Sequence, residues 1–171
     1  LQTATPAALY GAMLAGVDAV LMGAGIPREI PQLMTDFSQG KPGALSIDSE
    51  RPAGVAAPIL EFNPLESFGV APELPRPAFL AIVTAEVLAA YLARNEVTRP
   101  DGFVVEHHEA GGHNAPPRRM QDTPTGYGPL DEPNMVKIKE VGLPFWMAGG
   151  RATPAAVAEA LSFGAEGVQV G

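Results

Sequence analysis

The densest chemistry in the chain lies in one run, Glu106-His107-His108-Glu109-Ala110-Gly111-Gly112-His113. All 3 histidines fall there, two side by side and the third five residues on. An imidazole titrates near neutral pH, so a histidine on a glycine-rich loop suits a general base for a carbon acid. Zinc is a second reading of the same residue types. His108-Glu109 followed by His113 is not the HExxH pattern, because the second histidine comes one position late. Gly111-Gly112 would also break the helix that aligns such ligands. The spacing therefore favours a base over a metal and predicts no metal site. Three solvated loop histidines are the plainer alternative.

Glycine turns supply the second kind of chemistry. Met147-Ala148-Gly149-Gly150 precedes a helix start at Thr153, and Gln169-Val170-Gly171 ends the next unit. Bare glycines let a phosphate approach the backbone, and a helix N-terminus offers N–H donors and the positive end of a dipole. Ordinary turn glycines read equally well at either place alone. Gly23-Ala24-Gly25 is a weaker candidate, since Arg28 stands where a dinucleotide fingerprint needs its third glycine. Arg118-Arg119, Tyr127 and Trp146 read first as solvated loop, pocket cover and core.

The elements that must position these groups alternate. Thr5-Pro6-Ala7-Ala8 recurs as Thr153-Pro154-Ala155-Ala156, and the match runs on to Gly23 and Gly171 with about 8 identities in about 19 positions. Each copy predicts a threonine-capped helix with proline at its first position. Leu9 and Met13 mark the inner face of one helix, Val157 and Leu161 that of the other. A left-handed glycine follows at Gly16 or Gly164, then a short strand, Ala19–Met22 or Gly167–Val170.

Between the copies the pattern predicts a helix over Pro27–Phe37 and short strands at Ala44–Ile47 and Pro58–Leu60. A helical turn is expected over Pro64–Phe68 and a strand over Phe79–Val83. Thr84–Arg94 reads as a helix with Val87, Leu88, Tyr91 and Leu92 on one face. A strand over Gly102–Val105 leads into a long polar loop, followed by a helix at Pro133–Val141 and a strand at Pro144–Met147. Such alternation implies parallel strands with helical crossovers. The fold class is α/β, with a (β/α)8 TIM barrel and an open doubly wound sheet as candidates. A full barrel takes ~250 residues, so the 171 residues suggest a single barrel domain that is incomplete, with the first strands missing and both ends cut.

The totals narrow the partners. A net charge of −8 opposes a nucleic-acid partner. Without cysteine there is no disulfide, thiolate nucleophile or cysteine–zinc site, which suits a cytoplasmic location. No apolar run reaches ~18 residues, so no membrane span is expected.

Glu109-Ala110-Gly111-Gly112-His113 resembles the EAGGH signature of nitronate monooxygenases, formerly 2-nitropropane dioxygenases. Flavin-dependent enoyl-acyl-carrier-protein reductases share that motif. Pro144–Gly150 resembles the family's next strand and glycine turn, Gly164–Gly171 its last barrel strand, and Gly16–Pro27 an earlier one. The likeness is good over residues 101–171, moderate over 16–37 and poor over 40–78. It implies a TIM barrel with non-covalent FMN. The base would fall on His113, and FMN contacts on Glu106, Gly111, Gly112, Gly149, Gly150, Gln169 and Gly171. A small-molecule nitronate or nitroalkane, molecular oxygen and a second copy of the chain in a homodimer are the partners implied. The family's Gln-Gly stands here as Glu106-His107. An NAD(P)H-dependent enoyl reductase and a non-catalytic partial barrel that binds or supports are the alternative functions.

Overall fold

A computed structural model describes residues 2–23, 25–47 and 49–171. Ala24, in the middle of the expected Gly23–Gly25 turn, lies outside the described residues. The chain divides into two compact units, Leu1–Phe79 with Glu96–Arg99, and Leu80–Asn95 with Pro100–Gly171.

The first unit is built on two helices. In α1 (Thr5–Leu14), Leu9, Tyr10 and Met13 are buried. In α2 (Ile30–Ser38) the buried residues include Ile30, Leu33, Met34 and Phe37, the i, i+3, i+4, i+7 spacing of an amphipathic helix. The strand β1 (Ala19–Met22) follows α1, with Gly16 left-handed between them as the sequence implied. The expected cap at Thr5 is not made. A 3-10 turn over Gln2–Ala4 runs straight into α1, so Ala4 takes the cap position in a helical conformation.

Two further strands depart from the parallel expectation. β2 (Gly43–Ser46) pairs antiparallel with β3 (Ile59–Phe62), Gly43 facing Phe62 and Ser46 facing Ile59. Among the described residues between them there is no helix, and parallel pairing needs a crossover of a dozen or more residues that is usually helical. A short helix α3 (Pro64–Phe68) begins where Asn63 accepts the Leu65 N–H, with proline at the start as anticipated. Tyr10, Phe37, Phe62 and Phe68 form one aromatic cluster, with Tyr10 edge-on to Phe37 at 5.4 Å.

The second unit is the alternating one. Its strands β4 (Ala78–Val83), β5 (Gly102–Glu106), β6 (Phe145–Ala148) and β7 (Gly167–Gln169) lie in that order. Each neighbouring pair is parallel. The helices α4 (Glu86–Ala93), α5 (Met135–Glu140) and α6 (Pro154–Phe163) make the connections. Gly102, Phe103, Val104 and Val105 of β5 are all buried, as in a parallel strand covered on both faces. α6 has the cap the sequence promised, Thr153 accepting the Ala156 N–H at 3.2 Å. Left-handed Gly164 ends it.

Two helix faces differ from expectation. In α4 the buried residues are Ala89 and Leu92, while Val87 is 70% exposed. In α6 it is Ala160 that is buried, and Leu161 lies outside. Among the described residues, no helix is long and apolar enough to cross a membrane.

Candidate functional site

Three parallel strands end level with one another. Glu106, the last residue of β5, is the register partner of Ala148 in β6, and Ala148 is the partner of Gln169 in β7. Parallel α/β sheets place their ligands at the carboxyl ends of strands. The sequence expectation of a strand ending at Val105 is therefore one residue short, and Glu106 belongs to the rim itself.

Beyond the rim the chain turns sharply. The His107 N–H donates to Ala148 O at 3.0 Å, prolonging the ladder, and the Ala110 N–H closes a turn onto His107 O at 2.9 Å. Neighbouring side chains on a strand point to opposite faces. This turn instead brings the rings of His107 and His108 to one side, with centroids 4.1 Å apart. Asn114 closes the next stretch, its Nδ2 donating to His108 O at 3.0 Å and Ala110 O at 2.9 Å.

The returning loop supplies partners from far along the sequence. Glu132 meets His107 Nε2 with both carboxylate oxygens, at 2.9 and 2.8 Å. His107 Nδ1 accepts the Glu109 N–H at 3.2 Å, so Nε2 carries the proton and donates it. Tyr127 stacks on His108 with centroids 4.8 Å apart, and its hydroxyl donates to Ala115 O at 2.7 Å. Asp131 accepts the Arg118 N–H at 2.8 Å through one oxygen and the Gly128 N–H at 2.9 Å through the other.

The carboxyls of Glu106 and Asp131 are shifted in opposite directions. Burial raises the Glu106 carboxyl above the usual carboxylate range. The backbone N–H bonds from Arg118, then Gly128, hold Asp131 below it. Glu106 borders a small cavity of about 30 Å³ with Thr84, His108, Asn114 and Tyr127. Asn114 Oδ1 is buried and has no hydrogen-bond partner among the described residues.

The fold is similar to that of a solved structure, nitroalkane oxidase from Streptomyces ansochromogenes. The TM-score is 0.52 and the identity 19%, over 99% of this chain. This chain spans 43% of that protein's chain. No protein-family model and no curated protein sequence matches. At 19% identity the likeness speaks for the fold.

The glycines divide when asked whether they suit FMN. A Cβ on Gly111, Gly112 or Gly171 would meet nothing within 4 Å, so open space lies beside each. Gln169 is exposed at the end of β7. Gly149 and Gly150 have φ of 92° and 64°, and Gly112 is left-handed too at 91°, but the space beside the first two is filled. A Cβ on Gly149 would stand 2.9 Å from both Ala110 N and His107 Cβ. A Cβ on Gly150 would stand 2.7 Å from a Glu109 carboxylate oxygen. Packing alone thus requires Gly149. The level strand ends and the open glycines fit a flat ligand along the rim. Glu109 places negative charge beside Gly150, where the sequence suggested a phosphate.

His113 is exposed, and no described residue hydrogen-bonds to its ring. The sequence reading missed Glu132, Asn114 and Asp131. Gly128-Pro129-Leu130-Asp131, a turn sequence with an acid three residues after glycine, is a usable signal for Asp131. Nothing local announces that Glu132 meets His107.

Proposed function

We propose that this chain is part of an FMN-dependent oxidoreductase of the nitronate monooxygenase type, oxidising nitronates or nitroalkanes with oxygen. The observation that carries the reading is the level rim of Glu106, Ala148 and Gln169, with the EAGGH stretch rising directly from it. The nitroalkane oxidase fold likeness supports the same direction.

When bound, FMN would supply the electron-accepting centre. The contacts would come from Glu106, Gly111, Gly112, Gln169 and Gly171, and from the turn at Gly149 and Gly150. His113 acts as the base, taking the proton from the carbon beside the nitro group and leaving the nitronate. Its exposed ring is free to reach a substrate. Burial raises the Glu106 carboxyl above the usual carboxylate range, and its protonated form can donate a hydrogen bond. The Asn114 clamp keeps the stretch before His113 in one shape.

The test uses purified protein supplied with FMN. Retained flavin colour and oxygen uptake with propionate 3-nitronate are expected. His113→Asn should lower turnover of the neutral nitroalkane by about 10²–10⁴-fold with flavin still bound. A colourless protein that takes up no FMN, or NADH oxidation driven by a crotonyl thioester in place of nitronate turnover, would overturn the reading.

A further inference from the structure

We infer that His107, His108 and Glu132 form a binding site for a zinc-class divalent cation, separate from the base at His113. One ligand atom from each of the three residues lies within 4.8 Å of the others. His107 Nε2 stands 2.8 Å from one Glu132 oxygen, and His108 Nε2 stands 3.6 Å from the other. Tetrahedral ligands at zinc bond lengths sit about 3.4 Å apart. The 2.8 and 3.6 Å separations bracket that spacing, and side-chain rotation would bring the three ligand atoms onto one ion.

The site is built rather than accidental. Stacking on Tyr127 fixes the His108 ring. The turn closed by Ala110 brings two adjacent histidines to one side, which a continuing strand forbids. Both histidine side chains are partly covered, at 16% and 19% exposure, while Glu132 at 53% leaves an open approach from solvent. Two imidazoles and one carboxylate, with no thiolate in the chain, suit zinc, cobalt or nickel rather than magnesium or calcium. Three protein ligands leave a fourth position for water.

Glu109 completes the arrangement. Without a cation, His107 keeps its proton on Nε2. Coordination at Nε2 moves that proton to Nδ1, which gives up the Glu109 N–H it accepted and turns to a Glu109 carboxylate oxygen 3.7 Å away. A carboxylate behind a ligating histidine fixes its tautomer and strengthens its binding. Residues His107 and His108, which read from sequence as loop histidines beside the base, acquire a task of their own. The spacing argument against HExxH holds, because the third ligand comes from Glu132 and not from His113.

Zn²⁺ alone is the probe, followed by calorimetry on the full chain without flavin, with Co²⁺ as a spectroscopic substitute. One equivalent is expected to bind, with visible absorption of four-coordinate cobalt. His108→Ala and Glu132→Ala should each weaken binding by at least about tenfold, and Glu109→Gln by a similar factor. His113→Asn should bind as the wild type does, which separates this site from the proposed base. Histidine ring signals in NMR provide a readout that survives poor behaviour of a variant: those of His107 and His108 should shift with Zn²⁺, and that of His113 should not. Failure of the wild type to bind, binding unchanged in His108→Ala, or a shift confined to His113 would overturn the site.

Discussion

His107 Nε2 donates to both oxygens of Glu132, at 2.9 and 2.8 Å, across 25 positions of sequence. That bond ties the first residue beyond β5 to the residue that precedes the approach to α5. It also aims His107 Nδ1 at the Glu109 N–H. Glu132→Ala should therefore quicken hydrogen exchange at the Glu109 and Ala110 amides, measured without added metal. Unchanged exchange at both would mean that the turn stands without Glu132.

Glu106 makes a pH-dependent contribution. Its folded pKa is raised by burial above the ordinary 4.5. The stability it contributes is complete below 4.5 and is lost as pH rises through the raised value. Glu106→Gln should consequently raise the thermal midpoint at pH 8 relative to the wild type, and the gain should shrink near pH 4. Thermal scans at the two pH values decide it. An equal effect at both would remove ionisation as the cause.

Gly149 carries two penalties against any side chain. The left-handed φ costs an alanine about 1–2 kcal/mol. The added Cβ also meets His107 Cβ at 2.9 Å. Urea unfolding should show Gly149→Ala losing more than the backbone penalty. Pairing it with His107→Gly should recover part of the loss, with a coupling of about 0.5–3 kcal/mol. Strict additivity would show that the two residues do not press on each other.

Asp131 ties off the loop at Arg118 and Gly128. Its pKa is held below the ordinary 3.8, first by the Arg118 backbone bond. The contribution is thus present above 3.8 and lost as pH falls through the lowered value. Limited proteolysis at neutral pH should cut Asp131→Asn between Arg118 and Asp131 faster than the wild type. Equal cutting rates would mean that the neutral amide holds the loop as well as the carboxylate does.

Legibility in the sequence followed the range of the deciding interaction. Pro64–Phe68 was readable because Asn63-Pro64 sets a helix start locally. The apolar run of β5 was readable because burial on both faces leaves an unbroken pattern. Thr153 capped as expected, whereas Thr5 did not, because the preceding turn is already helical. Val87 was misplaced because a helix of alanines and leucines has no sharply defined apolar side, and packing chose Ala89. The antiparallel β2–β3 pair depends on how a proline-rich segment returns, which periodicity does not encode. Within the site, the rim glycines and the histidines were visible as residue types. Their partners Asn114 and Glu132 were not, since only the closed loop brings them near.

The shared register of Glu106, Ala148 and Gln169 makes the rim a ruler. Neighbouring strands stand about 4.8 Å apart, so the outer two of the three lie roughly 10 Å from each other. A rigid planar molecule of that length can be gripped at both ends at once, whereas a small aliphatic compound reaches only one strand and its neighbour. The strand spacing thus sets the length over which the three rim residues could meet one ligand.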